Sequence, residues 1–161
     1  MRDLLIWIEA TGLGHLMRES GPWTYAIVNL AHIIGVSSLF GSLLVLDLRL
    51  LGFWRRVRLD ELSSVVTPIA ITGFALAATT GAAMLATKAT AYVGNPFLLI
   101  KFPAIAIGLI NVGVLKLTPA WRARGVRELT LGESRQLAVM GGISLLSWLT
   151  AVSAGRMIGY W

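Results

Sequence analysis

Cysteine is absent from the 161 residues. That excludes disulfide frameworks, thiolate metal sites, iron–sulfur ligation and cysteine nucleophiles. Charge is scarce too. Only 14% of residues are Asp, Glu, Lys or Arg, against roughly a quarter in an average soluble domain. Histidine occurs twice, at His15 and His32. There is no HExxH, no GxSxG and no glycine-rich phosphate loop after a strand, so the corresponding metalloprotease, hydrolase and nucleotide chemistries are excluded. What fills the chain is apolar: 56% of residues are hydrophobic, alongside 17 glycines and 6 tryptophans. Mean hydropathy is +0.74. A soluble globule of this size cannot hide so much apolar surface, and a disordered chain does not carry it. The length fits one membrane domain over residues 1–161.

Four stretches are long and apolar enough to cross a bilayer, which takes about 20 residues each. They cover about 23–46, 64–86, 96–117 and 137–158. The runs are unbroken, without the alternation of membrane β-strands. Backbone groups in lipid must be paired internally, so helices follow. The expected fold is all-α: a four-helix transmembrane bundle. Residues 1–22 are different. Leu4, Leu5, Ile8, Leu13, Leu16 and Met17 stand among Arg2, Asp3, Glu9, Arg18 and Glu19. This stretch is too interrupted to span and lacks the pattern of a signal peptide. It predicts an N-terminal amphipathic helix lying on the membrane surface. Ser20-Gly21-Pro22 then turns the chain into the first span, with Trp23 and Tyr25 as interfacial anchors.

The net charge of +6 is clustered between the apolar stretches, a topology signal and not a nucleic-acid footprint. Arg49, Arg55, Arg56, Arg58, Lys116, Arg122, Arg124, Arg127 and Arg135 lie at two of the loops. Arg2, Arg18, Lys88 and Arg156 lie on the other side. Nine against four places the basic loops in the cytoplasm and both termini outside it. Small residues share helix faces: Gly35, Ser38 and Ser42 on span one, Gly73, Ala77 and Gly81 on span two. This pattern reads as close helix packing.

Ionisable groups at membrane depth are costly and mark candidate sites. His32 follows Trp23 by nine residues, roughly 13 Å below the outer boundary. Asn29 and Gly35 lie three residues to either side, so its face is polar and then small, with room for a flat ligand. Three readings stand: a neutral histidine bonded across helices, a haem or metal ligand, and a proton-handling group. Asn95 and Pro96 read as the N-cap and first position of span three. Lys101 then lies in the same outer half as His32, and Arg156 does so near the end of span four. Both have the option of snorkelling to the interface. Otherwise an anion balances this outer cationic set, and the carboxylates of a porphyrin bound at His32 suit it. Asp47 and Arg49, two apart, do not share a helical face; Asp47 is expected to pair with a base from another helix at the cytoplasmic interface, and proton or ion passage is the alternative reading. Soft Cu(I) accepts thioethers, so His32 with Met84 or Met157 is a copper alternative. His15 reads as an interfacial residue or a cap on the outer mouth.

The stretch NLAHIIGVSSLFGSLLVLDLRLLG, with the later GNPFLLIK, resembles a bacterial family of small four-helix membrane proteins that has no assigned activity. A looser similarity extends to HemJ-type protoporphyrinogen oxidases and to the membrane domain of copper-resistance protein D. It is carried by His32, Arg49, Thr67-Pro68 and Lys101. The chain departs from the HemJ pattern in its surface helix, in Asp47, and in lacking a Trp soon after the histidine and a Tyr-His pair near the end of span three. The resemblance implies a redox-type membrane protein that binds haem b. His32 is its metal ligand, with Asn29 and Gly35 around it. Lys101 is a functional, catalytic neighbour, and Lys101 with Arg156 neutralises propionates. The sixth iron ligand stays open between Lys101, Met84 and His15. The implied partners are the lipid bilayer, a membrane quinone or redox protein, and further copies of the chain. The alternatives are a copper- or ion-handling membrane protein similar to copper-resistance protein D, and a non-catalytic accessory subunit of a larger complex.

Overall fold

The computed structural model describes residues 2–161. The protein is all-α, with no strand among the described residues. Its helices are α1 (Arg2–Glu9), α2 (Gly12–Glu19), α3 (Gly21–Leu50), α4 (Leu59–Thr87), α5 (Pro96–Leu117), α6 (Pro119–Ala123) and α7 (Leu131–Met157). Single 3-10 turns follow α4 at Ala89–Tyr92 and α7 at Ile158–Tyr160. Four helices are long and apolar enough to cross a membrane, and they contain the four expected spans. The shortest, α5, has 22 residues, about 33 Å at 1.5 Å each. That exceeds the roughly 30 Å of hydrocarbon. Three of the helices extend beyond the apolar runs. Thr130 opens α7 through a capping box with Glu133, which satisfies donors that the ladder leaves unmet.

The surface segment differs from the expected single helix. Thr11 splits it into α1 and α2. Its hydroxyl donates to the Ile8 carbonyl at 2.6 Å and accepts from the Gly14 amide at 3.4 Å, so it closes one helix and caps the next. Gly21 supplies the expected turn into α3, at φ 79°. Side chains rarely adopt that region, and glycine does so without steric cost.

By its contacts the chain divides into two units. The first contains residues 2–39 and Ile71–Pro96. Here α3 and α4 touch through small residues. A Cβ added to Gly35 would lie 2.7 Å from the Ala77 nitrogen and 3.0 Å from the Gly73 carbonyl oxygen. One added to Gly73 would lie 2.6 Å from the Leu39 nitrogen and 2.8 Å from the Gly35 oxygen. Such backbone contact lets dispersion hold helices together where lipid removes the hydrophobic drive. The N-terminal helices are tied to the C-terminal end of α4. Arg18 donates to the carbonyls of Ala86, Thr87 and Glu9, and Glu9 accepts from the Thr90 amide and hydroxyl, both at 2.7 Å.

The second unit contains Phe40–Ala70 and Phe97–Trp161. Its core joins Leu46, Leu50, Leu59, Leu115, Leu137 and Met140 with Trp121 of α6. That small helix was not expected. It forms because Thr118 caps it, accepting from the Trp121 amide at 3.1 Å, with Pro119 preset for the first turn. Arg124 then lies 4.1 Å over the Trp121 ring and donates to the Ser63 hydroxyl at 3.1 Å. In the same unit Gly108 receives the face of Trp148.

Candidate functional site

His32 is half-buried on α3. Its imidazole lies over Gly81 of α4, where an added Cβ would come within 3.0 Å of the ring Cε1. A methyl group there would press on the ring more tightly than ordinary contact, so glycine seats it without displacement. Nδ1 lies 3.1 Å from the Thr80 hydroxyl oxygen. That hydroxyl has one proton, and its shortest bond, 2.5 Å, runs to the Leu76 carbonyl. Thr80 therefore accepts from Nδ1–H. Tautomer follows from the hydrogen-bond network, and a proton on Nδ1 leaves the ring's basic lone pair on Nε2. A histidine oriented through its other ring nitrogen is the usual arrangement of a metal ligand.

Around this ring, Asn29 is half-buried one turn earlier on α3. Gly35 is buried, and the space over its Cα is filled by the α4 backbone. Gly35 thus seats the helix pair, and the small residue facing the imidazole is Gly81. Met84 lies one turn beyond Gly81 and Thr80 on α4 and is half-buried. His15 is exposed on α2. A cleft of about 260 Å³ in this unit is lined by Arg2, Ile6, Thr90 and Val93, none of which the sequence marked as a ligand. Among the described residues no three His, Cys, Asp or Glu side chains come together to hold a metal ion.

In the second unit, Lys101 is half-buried on α5. Its stem lies over Gly155 of α7, where an added Cβ would be 3.3 Å from Nζ. No ion pair among the described residues includes it. The neighbouring Arg156 is exposed. It stacks on Tyr160, 4.7 Å from the ring centroid, and donates to that phenol oxygen. Lys101 is the cation held along the helix; Arg156 is turned to the chain end. Met157 is exposed.

Asp47 departs from expectation. It is 2% exposed, yet no base pairs with it among the described residues. Its polar neighbour is Ser144 of α7. Arg49, on another face of α3, donates to the carbonyls of Val57 at 2.7 Å and Arg55 at 3.4 Å. The acid turns to the core and the base closes its own loop. The sequence marked Gly81 only as part of the small-residue face of span two and drew no attention to Thr80 or Ser144. The Thr79-Thr80-Gly81 triplet inside an apolar helix was the available signal for the first two.

No protein-family model, curated protein or solved structure matches this chain.

Proposed function

We propose that this multi-pass membrane protein is a b-type haem protein of redox type, in which His32 would hold the haem iron. The observation that carries the reading is the Nδ1–H bond to Thr80. The donor chemistry supports it: an imidazole is a haem ligand once one ring nitrogen is held by a hydroxyl, and here the ring is seated against Gly81 of α4. Bound haem supplies one-electron chemistry, its potential set by ligand, hydrogen bonding and burial. Thr80 would hold the ring's tautomer and angle when the group is bound. Asn29 is a polar neighbour on the same helix face. Lys101 remains the candidate catalytic group, because an ammonium held over Gly155 has no counter-ion among the described residues and favours an anionic group. Electron exchange with a membrane quinone or protein partner comes from the resemblance alone. The resemblance points to a bacterial inner membrane, and the charge count supports an orientation with both termini outside the cytoplasm.

The optical spectrum of the purified chain tests this. The expected result is a Soret band that is lost in His32→Ala and is weakened or shifted in Thr80→Val, which removes the orienting acceptor. Copper bound at one equivalent without pigment, or neither metal nor pigment in membranes supplied with both, overturns it.

A further inference from the structure

The second unit contains a polar pair that the haem reading does not use. Asp47 of α3 and Ser144 of α7 are 2% and 3% exposed. One carboxylate oxygen, Oδ2, and the serine Oγ each lack a hydrogen-bond partner among the described residues. Buried polar atoms are nearly always satisfied, and exceptions call for a water, an ion or a chemical role. The cause is local. A serine inside a helix usually donates to the carbonyl four residues back, here that of Met140. That carbonyl already accepts from the Asn111 side-chain amide at 2.9 Å. The helices are close enough to enforce the meeting: a Cβ on Gly141 would lie 3.1 Å from the Asp47 carbonyl oxygen and 2.8 Å from the Leu50 Cβ.

Charge completes the argument. Burying an isolated carboxylate is very costly unless it is neutralised. No Lys, Arg or His bonds to Asp47 among the described residues. Arg49 is engaged by the loop carbonyls. α7 carries no charged residue between Arg135 and Arg156, and it meets Asp47 with Gly141 and Ser144. One negative charge in a low-dielectric site is balanced by one positive charge; a divalent ion would leave a net charge buried. Oxygen donors suit a hard cation.

We propose that Asp47 Oδ2 and Ser144 Oγ form a binding site for one exchangeable monovalent cation, either H⁺ or Na⁺. A proton satisfies both atoms at once, with the carboxyl donating to the serine oxygen. Sodium does so as a shared ligand of the two oxygens. The site is independent of haem at His32.

The test uses the purified full chain in detergent micelles. Its unfolding midpoint is measured in NaCl against N-methyl-D-glucamine chloride at equal ionic strength, and its infrared spectrum is recorded for the carbonyl stretch of a protonated carboxyl. One signature is expected: a saturable upward shift of the midpoint with sodium, or a protonated-carboxyl band. It disappears in Asp47→Asn, which keeps shape and removes the charge. In Ser144→Ala the half-saturating sodium concentration rises roughly tenfold, as for loss of one charge-assisted bond, or the band moves. If Asp47→Asn does not fold, Ser144→Ala decides. An ionised carboxylate with no sodium effect, or a signature unchanged in both variants, overturns the proposal.

Discussion

At Gly35 the α3 and α4 backbones leave no space for a methyl group, whereas at Gly41, on the same helix, an added Cβ meets nothing within 4 Å. The two positions therefore predict opposite outcomes. Gly35→Leu forces α4 away and costs about 1–3 kcal/mol, the usual range for overpacking. Gly41→Ala is neutral or stabilising by up to about 1 kcal/mol, because helix propensity rises with no clash. Unfolding titrations in mixed micelles measure both, and equal effects would contradict the packing described. The small-residue faces were legible in sequence because glycine spacing on a helix is a one-dimensional pattern. Which glycine faces the histidine was not. Gly35 is close to His32 in sequence, but Gly81 comes from another helix, and only helix pairing brings it to the ring.

The surface helices show how an amphipathic element is held at one place. Leu5 and Met17 are buried, while Leu4, Trp7 and Leu16 remain exposed, as suits a helix in contact with lipid. Polar bonds add the register. Hydrogen bonds from the Thr90 amide, and then from its hydroxyl, hold the Glu9 carboxyl below the ordinary carboxylate range. The sign follows from linkage. A carboxyl whose folded value is depressed contributes its stabilisation fully above the unfolded value, near 4.5, and loses it as pH falls through the folded one. Acidification below about 4.5 should loosen the clasp between α1 and the 3-10 turn. Exchange of the Thr90 amide, corrected for its intrinsic pH dependence, is expected to lose protection there. In Glu9→Gln that protection is low throughout and flat with pH; an acid-dependent loss that survives in Glu9→Gln would show that another group is responsible.

For the whole molecule, the lack of cysteine makes topology directly measurable, since any introduced thiol is the only one. Cysteines placed in the 52–58 loop and in the 88–94 segment should label from opposite sides with a membrane-impermeant maleimide. The basic loop is expected to react only after the cytoplasmic side is opened. Reaction of the basic loop from outside would reverse the orientation and, with it, the placement of His32 in the outer half of the bilayer. The exposed apolar side chains along the helices, Ile27, Ile110 and Leu146 among them, are consistent with lipid covering those faces.

Hydropathy along the chain determined that the protein is all-α, where its four spans lie and that a separate amphipathic segment precedes them. Those properties depend on runs and periods within one segment, and the cost of unpaired backbone in lipid leaves helix as the outcome. It also showed that His32, Lys101 and Asp47 are ionisable groups in apolar surroundings. Tertiary structure alone decided their partners. Thr80 and Gly81 are 48 and 49 residues from His32, and Ser144 is 97 residues from Asp47. An acid expected to meet a base from another helix instead meets a hydroxyl, because packing presents Ser144 of α7, a helix with no charged residue between Arg135 and Arg156. Partner choice depends on which faces touch, and the pattern within a single helix does not contain that information.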